Sequence, residues 1–210
     1  MGVPSSPLDR WVLASGNPGK LLEFQGLLAR LGVTIVNQRE LGIEDADEPH
    51  CTFVENAIAK ARHASTRSGL AALADDSGIC LPALGGAPGV RSARYSDPSA
   101  KSAREQVDEA NNRKLILQTA SLARPVVCFY YCVVVLMRYP EDPRPLIVDG
   151  TWRGSLVAAP RGGNGFGYDP HFLPQQSDLT AAEMEPAQKN RISHRARAIA
   201  ALAAALDAER

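Results

Sequence analysis

The chain has 210 residues, of which 45% are apolar and 22% charged. These proportions suit an ordinary globular protein and exclude extended disorder. Lys+Arg and Asp+Glu balance at 23 each, which argues against a general nucleic-acid binder, because such proteins carry a basic excess. Any anion site must therefore be local.

The elements follow in chain order. Trp11 to Ser15 read as a short buried strand. Ser15-Gly16-Asn17-Pro18-Gly19-Lys20 turns the chain into a helix with Leu21, Phe24, Leu27, Leu28 and Leu31 at helical spacing, stopped by Gly32. Val33 to Asn37 form a second strand, giving a strand–helix–strand unit with parallel pairing. Thr52 and Glu55 make a capping box for a helix that runs to about Ser68. Leu70 to Gly78 read as a strand ending in acids. A polar helix is expected from about Ser99 to Leu122. Val126 to Met137 is β-branched, aromatic and too short for a membrane helix, so it reads as a long buried strand. A partner strand near Pro145 to Val157 follows a hairpin loop, and a helix from Ser193 to about Ala208 closes the chain.

The first ten residues lack a basic segment followed by an apolar one, so no signal peptide is expected and the location is read as cytoplasmic. Cys51, Cys80, Cys128 and Cys132 form no Cys-x-x-Cys pair. They read as buried thiols rather than a zinc site.

Four stretches could carry chemistry. In Ser15 to Lys20, a helix start with free backbone N–H groups, two close glycines and a lysine suits a phosphate chain. It also suits a plain turn with a surface lysine, and Leu21 stands where a Walker A loop would need Ser or Thr. Glu23, one helical turn on, reads as an ordinary i,i+3 partner of Lys20. Asp75 and Asp76 are adjacent carboxylates that repel unless neutralised, and a hard divalent cation would do so. Glu44 to Glu48 add further acids; either acidic stretch alone also reads as surface turn.

His194 and Arg195 fall in the first turn of the last helix, where positive charge opposes the macrodipole; this suits a nearby anion or acceptor-rich ligand, and equally a solvated basic helix end. Arg161 to Pro170, RGGNGFGYDP, has four glycines that permit close approach to a flat or charged ligand. Phe166 and Tyr168 could stack on a base, and Asp169 could accept from a ring N–H or hold a turn. The same aromatics, and Trp152, could equally be core plugs.

Five segments in this order (SGNPGK with Glu23, FVENAIAKA, ADDSG followed by ALGGAPGVRSARY, GNGFGYDPHF and ISHR) resemble the inosine-triphosphate pyrophosphatases, which act on ITP, dITP and XTP. The resemblance runs from Trp11 to the last helix. It implies an α/β fold: an elongated, twisted mixed sheet flanked by helices, in two lobes with a central cleft, as one domain over 11–210 after an N-terminal extension of residues 1–10. It also implies a homodimer that binds a nucleoside triphosphate, with no nucleic acid or membrane partner.

By position, the resemblance places Ser15, Gly16, Asn17, Pro18, Gly19 and Lys20 on the triphosphate and makes Asp76 the proton acceptor and Mg²⁺ ligand, with Asp75 beside it. Ser77 becomes a substrate contact. Glu48 is a second metal ligand, with Asp47 as the competing match. Phe166, Gly167, Tyr168 and Asp169 bind the base, and Lys189, His194 and Arg195 are C-terminal substrate contacts. Lys20, Lys189 and the helix start would stabilise the leaving pyrophosphate; Lys60, one turn after Asn56, either joins them or is a solvated lysine. Arg195 or His194 would donate to a purine O6. The rivals are a septum-inhibitor-type pyrophosphatase for pyrimidine or modified nucleotides, and a nucleotide sensor without turnover.

Overall fold

A computed structural model describes residues 10–28, 32–96 and 103–209. Expectations for residues 1–9, for Leu31 and for Ser99 lie outside the described residues. Six strands hydrogen-bond in the order β2-β1-β3-β4-β5-β6. They are β1 (Arg10–Ala14), β2 (Thr34–Asn37), β3 (Ala71–Cys80), β4 (Val126–Met137), β5 (Leu146–Leu156) and β6 (Phe172–Pro174). The helices are α1 (Pro18–Leu28), α2 (Phe53–Ser68), α3 (Arg104–Gln118), α4 (Pro186–Ile192) and α5 (His194–Ala208). The sheet is mixed: β1 runs parallel to β2 and β3, while β5 and β6 are antiparallel. α4 and β6 escaped the sequence reading, because elements of seven and three residues are too short to show a period.

The chain divides into two compact units. One comprises the chain through Asp76, Cys132–Gly150 and the segment from Arg195 on; the other comprises Ser77–Tyr131 and Thr151–His194. In the first, one face of the sheet packs Trp11, Leu13, Leu73, Val134 and Leu136 against Phe24 and Leu28 of α1 and Ile199 and Leu202 of α5. Val133, Val135 and Met137, which alternate with these on β4, are buried as well. A strand covered on both faces reads as a continuous apolar run, and this half of β4 does. The second unit has its own core of Ile79, Leu81, Leu115, Tyr130, Trp152, Tyr168, Phe172 and Met184. Here β4 alternates, with Val126, Cys128 and Tyr130 inward and Val127 exposed.

The helix ends follow their local chemistry. Thr52 Oγ1 accepts from Glu55 N at 3.3 Å to open α2, and Gly69, at φ 69°, closes it. One expectation fails in an informative way. β3 does not end at the acids but continues to Cys80. Ile79 and Leu81 beyond them are fully buried, and each such burial stabilises by ~1.5–3 kcal/mol. That draws the strand straight through its two carboxylates. No disulfide links the cysteines: Cys80, Cys128 and Cys132 are buried as expected, but Cys51 is exposed. Among the described residues, no helix is long and apolar enough to cross a membrane.

Candidate active site

The acids of β3 lie in a buried ion network within the first unit. Asp75 is 1% exposed, and its Oδ2 accepts from Lys20 Nζ at 2.9 Å. Arg195 Nε lies 3.7 Å from the same oxygen, and Arg195 Nη1 donates to Glu23 Oε2 at 2.6 Å. Burial pushes the Asp75 carboxyl up, but Lys20, Arg195 and Lys60 outweigh it and hold it well below the usual carboxylate range. Asp76 Oδ2 accepts from Asn56 Nδ2 at 3.2 Å and Oδ1 from Lys60 Nζ at 3.3 Å. Lys60 also donates to Glu48 Oε1 at 2.8 Å. Burial raises the Asp76 carboxyl above its ordinary value, with Glu48 and Asp75 adding to the rise, against the pull of Lys60 and Lys20. The two neighbours are thus driven apart: Asp75 is held ionised and Asp76 is raised. Burial would lower the Lys60 ammonium, but Asp76, Asp75 and Glu48 raise it on balance.

Three sequence expectations change here. The helix-start N–H groups are not open to an anion. Asn17 Oδ1 accepts from Gly19 N at 3.0 Å and Lys20 N at 3.3 Å, Asn17 O takes Leu21 N, and Pro18 has no N–H. Asn17 therefore caps α1, and a phosphate meets these donors only by displacing the cap. Ser15 is buried, its Oγ facing Asn17 N at 3.4 Å. A Cβ at Gly16 would overlap the ends of Asp45 and Arg39, which pair at 3.2 Å. The anion called for by Arg195 at the start of α5 is supplied by the protein itself, as Glu23 and Asp75. Glu23 serves Arg195. Lys60 is buried and bridging rather than solvated.

The ionised state of Asp75 has a measurable signature. A carboxyl depressed in the folded state contributes stability above its ordinary value of 3.8 and loses it as pH falls below that. Wild-type urea midpoints should fall progressively as pH drops below about 4. Asp75→Asn should start lower and fall less. Parallel curves would refute this assignment.

The glycine loop and its partners belong to the second unit. Asp169 Oδ2 accepts from Lys189 Nζ at 2.6 Å and from Phe166 N at 3.0 Å, and Oδ1 accepts from Tyr130 Oη at 3.2 Å. Asp169 is 2% and Lys189 4% exposed. Of its two expected roles, Asp169 holds the turn. Gly165, at φ 77°, lies so close to Asp169 Oδ2 that a Cβ would overlap it. Gly162, at φ 81°, approaches the Ala182 backbone in the same way. These glycines permit close approach to the protein rather than to a ligand. Tyr168 is a core residue whose Oη donates to Ser92 O at 2.9 Å, so it is not an exposed stacking surface. Trp152 likewise fills the core. Phe166 is half-buried, with Lys189 Nζ 5.2 Å from its ring centroid. A cavity of about 670 Å³ opens beside it, walled by α3 and the loop. Gly167 is fixed through both backbone groups: N to Asp108 Oδ2 and O to Asn112 Nδ2, each at 2.9 Å. His194 lies flat on Tyr130, with centroids 4.7 Å apart at 8°. Ser77 follows Asp76 on β3 and is half-buried.

Tyr130, Asp108, Asn112 and Asn56 were not singled out from sequence. Tyr130 alternates with Cys128 and Cys132, so a period-two reading turns it inward, where its hydroxyl needs a partner. Asn56 and Lys60 are i,i+4 polar residues flanking buried Ala57 and Ala61. Asp108 and Asn112 left no comparable signal in a polar helix.

The fold and these clusters define an α/β protein built around a buried acid–cation centre. Residues 11–205 match the model of the Ham1 family, and the chain belongs to that family. It is 56% identical over 203 residues to the dITP/XTP pyrophosphatase of Burkholderia pseudomallei, covering 97% of this chain and 96% of that one. It is 55% identical over 195 residues to the dITP/XTP pyrophosphatase of Ralstonia nicotianae, covering 93% and 95%. The solved structure of a HAM1 protein from Coxiella burnetii superposes with a TM-score of 0.84 at 43% identity, covering 94% of this chain and 98% of that one.

Proposed function

We propose that this protein hydrolyses non-standard purine nucleoside triphosphates (dITP, XTP and ITP) between the α- and β-phosphates, releasing the monophosphate and pyrophosphate. The observation that carries the reading is the buried aspartate pair of β3, with Asp75 against Lys20 and Arg195 and Asp76 against Asn56 and Lys60. It stands in a chain more than half identical to dITP/XTP pyrophosphatases.

The acid–cation cluster takes the triphosphate. Asp76 orients a water and accepts its proton as the water attacks phosphorus, and the α–β anhydride bond breaks with its electrons on the pyrophosphate. Lys20 stabilises the charge that develops there, and Asp75 holds the Lys20 ammonium in place. Phe166 is the proposed stacking surface for the purine, with Asp169 and Lys189 fixing its loop. His194 and Arg195 remain the proposed readers of the 6-oxo edge, Arg195 from within its pair with Glu23. An unmatched donor facing the 6-amino group of adenine disfavours that base by orders of magnitude.

The metal fits this donor set. Glu48 and Asp76 are hard oxygen ligands whose carboxylates both reach one point, Lys60 Nζ. Glu48 and Asp76 would hold Mg²⁺, which when bound would neutralise phosphate charge and acidify a neighbouring water. The reading also includes a homodimer, a single domain over 11–210 and a cytoplasmic location without nucleic-acid or membrane partners; equilibrium sedimentation tests the dimer.

Incubation with ITP, dITP, XTP, dATP, dGTP and dTTP plus Mg²⁺, followed by separate assays for pyrophosphate and orthophosphate, tests the activity. We expect pyrophosphate from dITP and XTP at rates at least ~100-fold above dATP. Preference for dTTP would favour the septum-inhibitor type, and no pyrophosphate from any nucleotide would leave only a sensor.

A further inference from the structure

Lys60 occupies the position that the metal reading needs for a cation. Its Nζ sits 2.8 Å from Glu48 Oε1 and 3.3 Å from Asp76 Oδ1. The two acids come from different places, Glu48 from the loop ahead of α2 and Asp76 from β3, and the ammonium bridges them. Asn56 fixes the other oxygen of Asp76 from one turn earlier on α2. Lys60 and Asp76 are nearly buried, whereas the Glu48 side chain is 27% exposed, so the cluster is open on the Glu48 side. Mg²⁺ demands oxygens at about 2.0–2.1 Å in strict geometry. An ion ligated by both carboxylates would stand in the gap now filled by Nζ, and two cations so close, in a poorly solvated site, repel strongly.

We infer that Lys60 is a built-in counter-ion competing with the divalent cation for Glu48 and Asp76, and that metal entry displaces its ammonium from both acids. The inference rests on the metal assignment above. Without metal, the lysine offsets two carboxylates that would otherwise repel. With metal, it is released as a tethered positive charge, available to a phosphate. Metal and polyphosphate then bind with positive coupling, since each favours the lysine position that the other needs.

Mn²⁺ titration followed by electron paramagnetic resonance, with no nucleotide present, tests this directly. Lys60→Gln should bind Mn²⁺ at least ~10-fold more tightly than wild type, while Lys60→Arg should stay near wild type. Equal or weaker binding by Lys60→Gln, with its fold intact by circular dichroism, overturns the competition but leaves the metal assignment standing. Absence of Mn²⁺ binding to every variant, together with turnover that ignores metal, removes both. Amine labelling of the wild type needs no variant: Mg²⁺ alone should raise acetylation of Lys60, read by mass spectrometry, and unchanged or reduced labelling overturns the release.

Discussion

Asp76→Asn should lower turnover of the best substrate by about a thousandfold or more while leaving nucleotide binding measurable. Asparagine keeps the shape of the side chain, so β3 and its packing are preserved. It cannot accept a proton from water, and that loss falls on the chemical step. A second consequence follows from the partners of Asp76. Its two oxygens accept from Asn56 Nδ2 and Lys60 Nζ. The asparagine amide must point its NH₂ at one of these donors, leaving a poorly satisfied buried group that costs ~1–3 kcal/mol. Rapid-quench kinetics and equilibrium nucleotide binding separate the two effects. Near-normal turnover would refute the role of Asp76, and loss of binding in proportion to turnover would make it a binding residue.

Arg195→Ala should lower stability by ~3–5 kcal/mol, because it strands Glu23 and weakens the restraint on Asp75. For a chain of this size, that corresponds to a fall in melting temperature on the order of 10 °C. The guanidinium is 4% exposed, and burial alone would lower its affinity for a proton, but Glu23 and then Asp75 raise it on balance. The pair is therefore firmly ionised. A double-mutant cycle with Glu23→Gln isolates the coupling. If the double variant is no less stable than Arg195→Ala alone, the pair carries the loss. A stability change under ~1 kcal/mol in Arg195→Ala would show that the pair contributes little. The same variant, assayed on ITP and ATP, reports whether Arg195 also reads the purine edge.

Much of this arrangement was legible beforehand. The helix of Thr52 to Ser68 carries its start and stop signals within a few residues, as a capping Thr-x-x-Glu and a left-handed glycine, and both act locally. The strand–helix–strand start and the long strand of Val126 to Met137 follow from apolar spacing, a direct image of which face is buried. The acid pair announced itself because adjacent carboxylates after an apolar run need neutralising, whatever the fold.

What stayed hidden was partnership. Spacing along the chain placed Glu23 beside Lys20, yet Glu23 meets Arg195, which lies 172 positions away. The glycines of RGGNGFGYDP signalled close approach but not to what, and the answer was Asp169 and Ala182 of the same unit. Tyr168 and Phe166 are alike in sequence; one is sealed in a core and the other lines a cavity. Local conformation and burial periodicity arise from interactions within a few residues, so the sequence by itself determined the elements, the family pattern and the acids. Which charge neutralises which depends on chain segments far apart in sequence arriving at one buried point, and only the tertiary structure decided that.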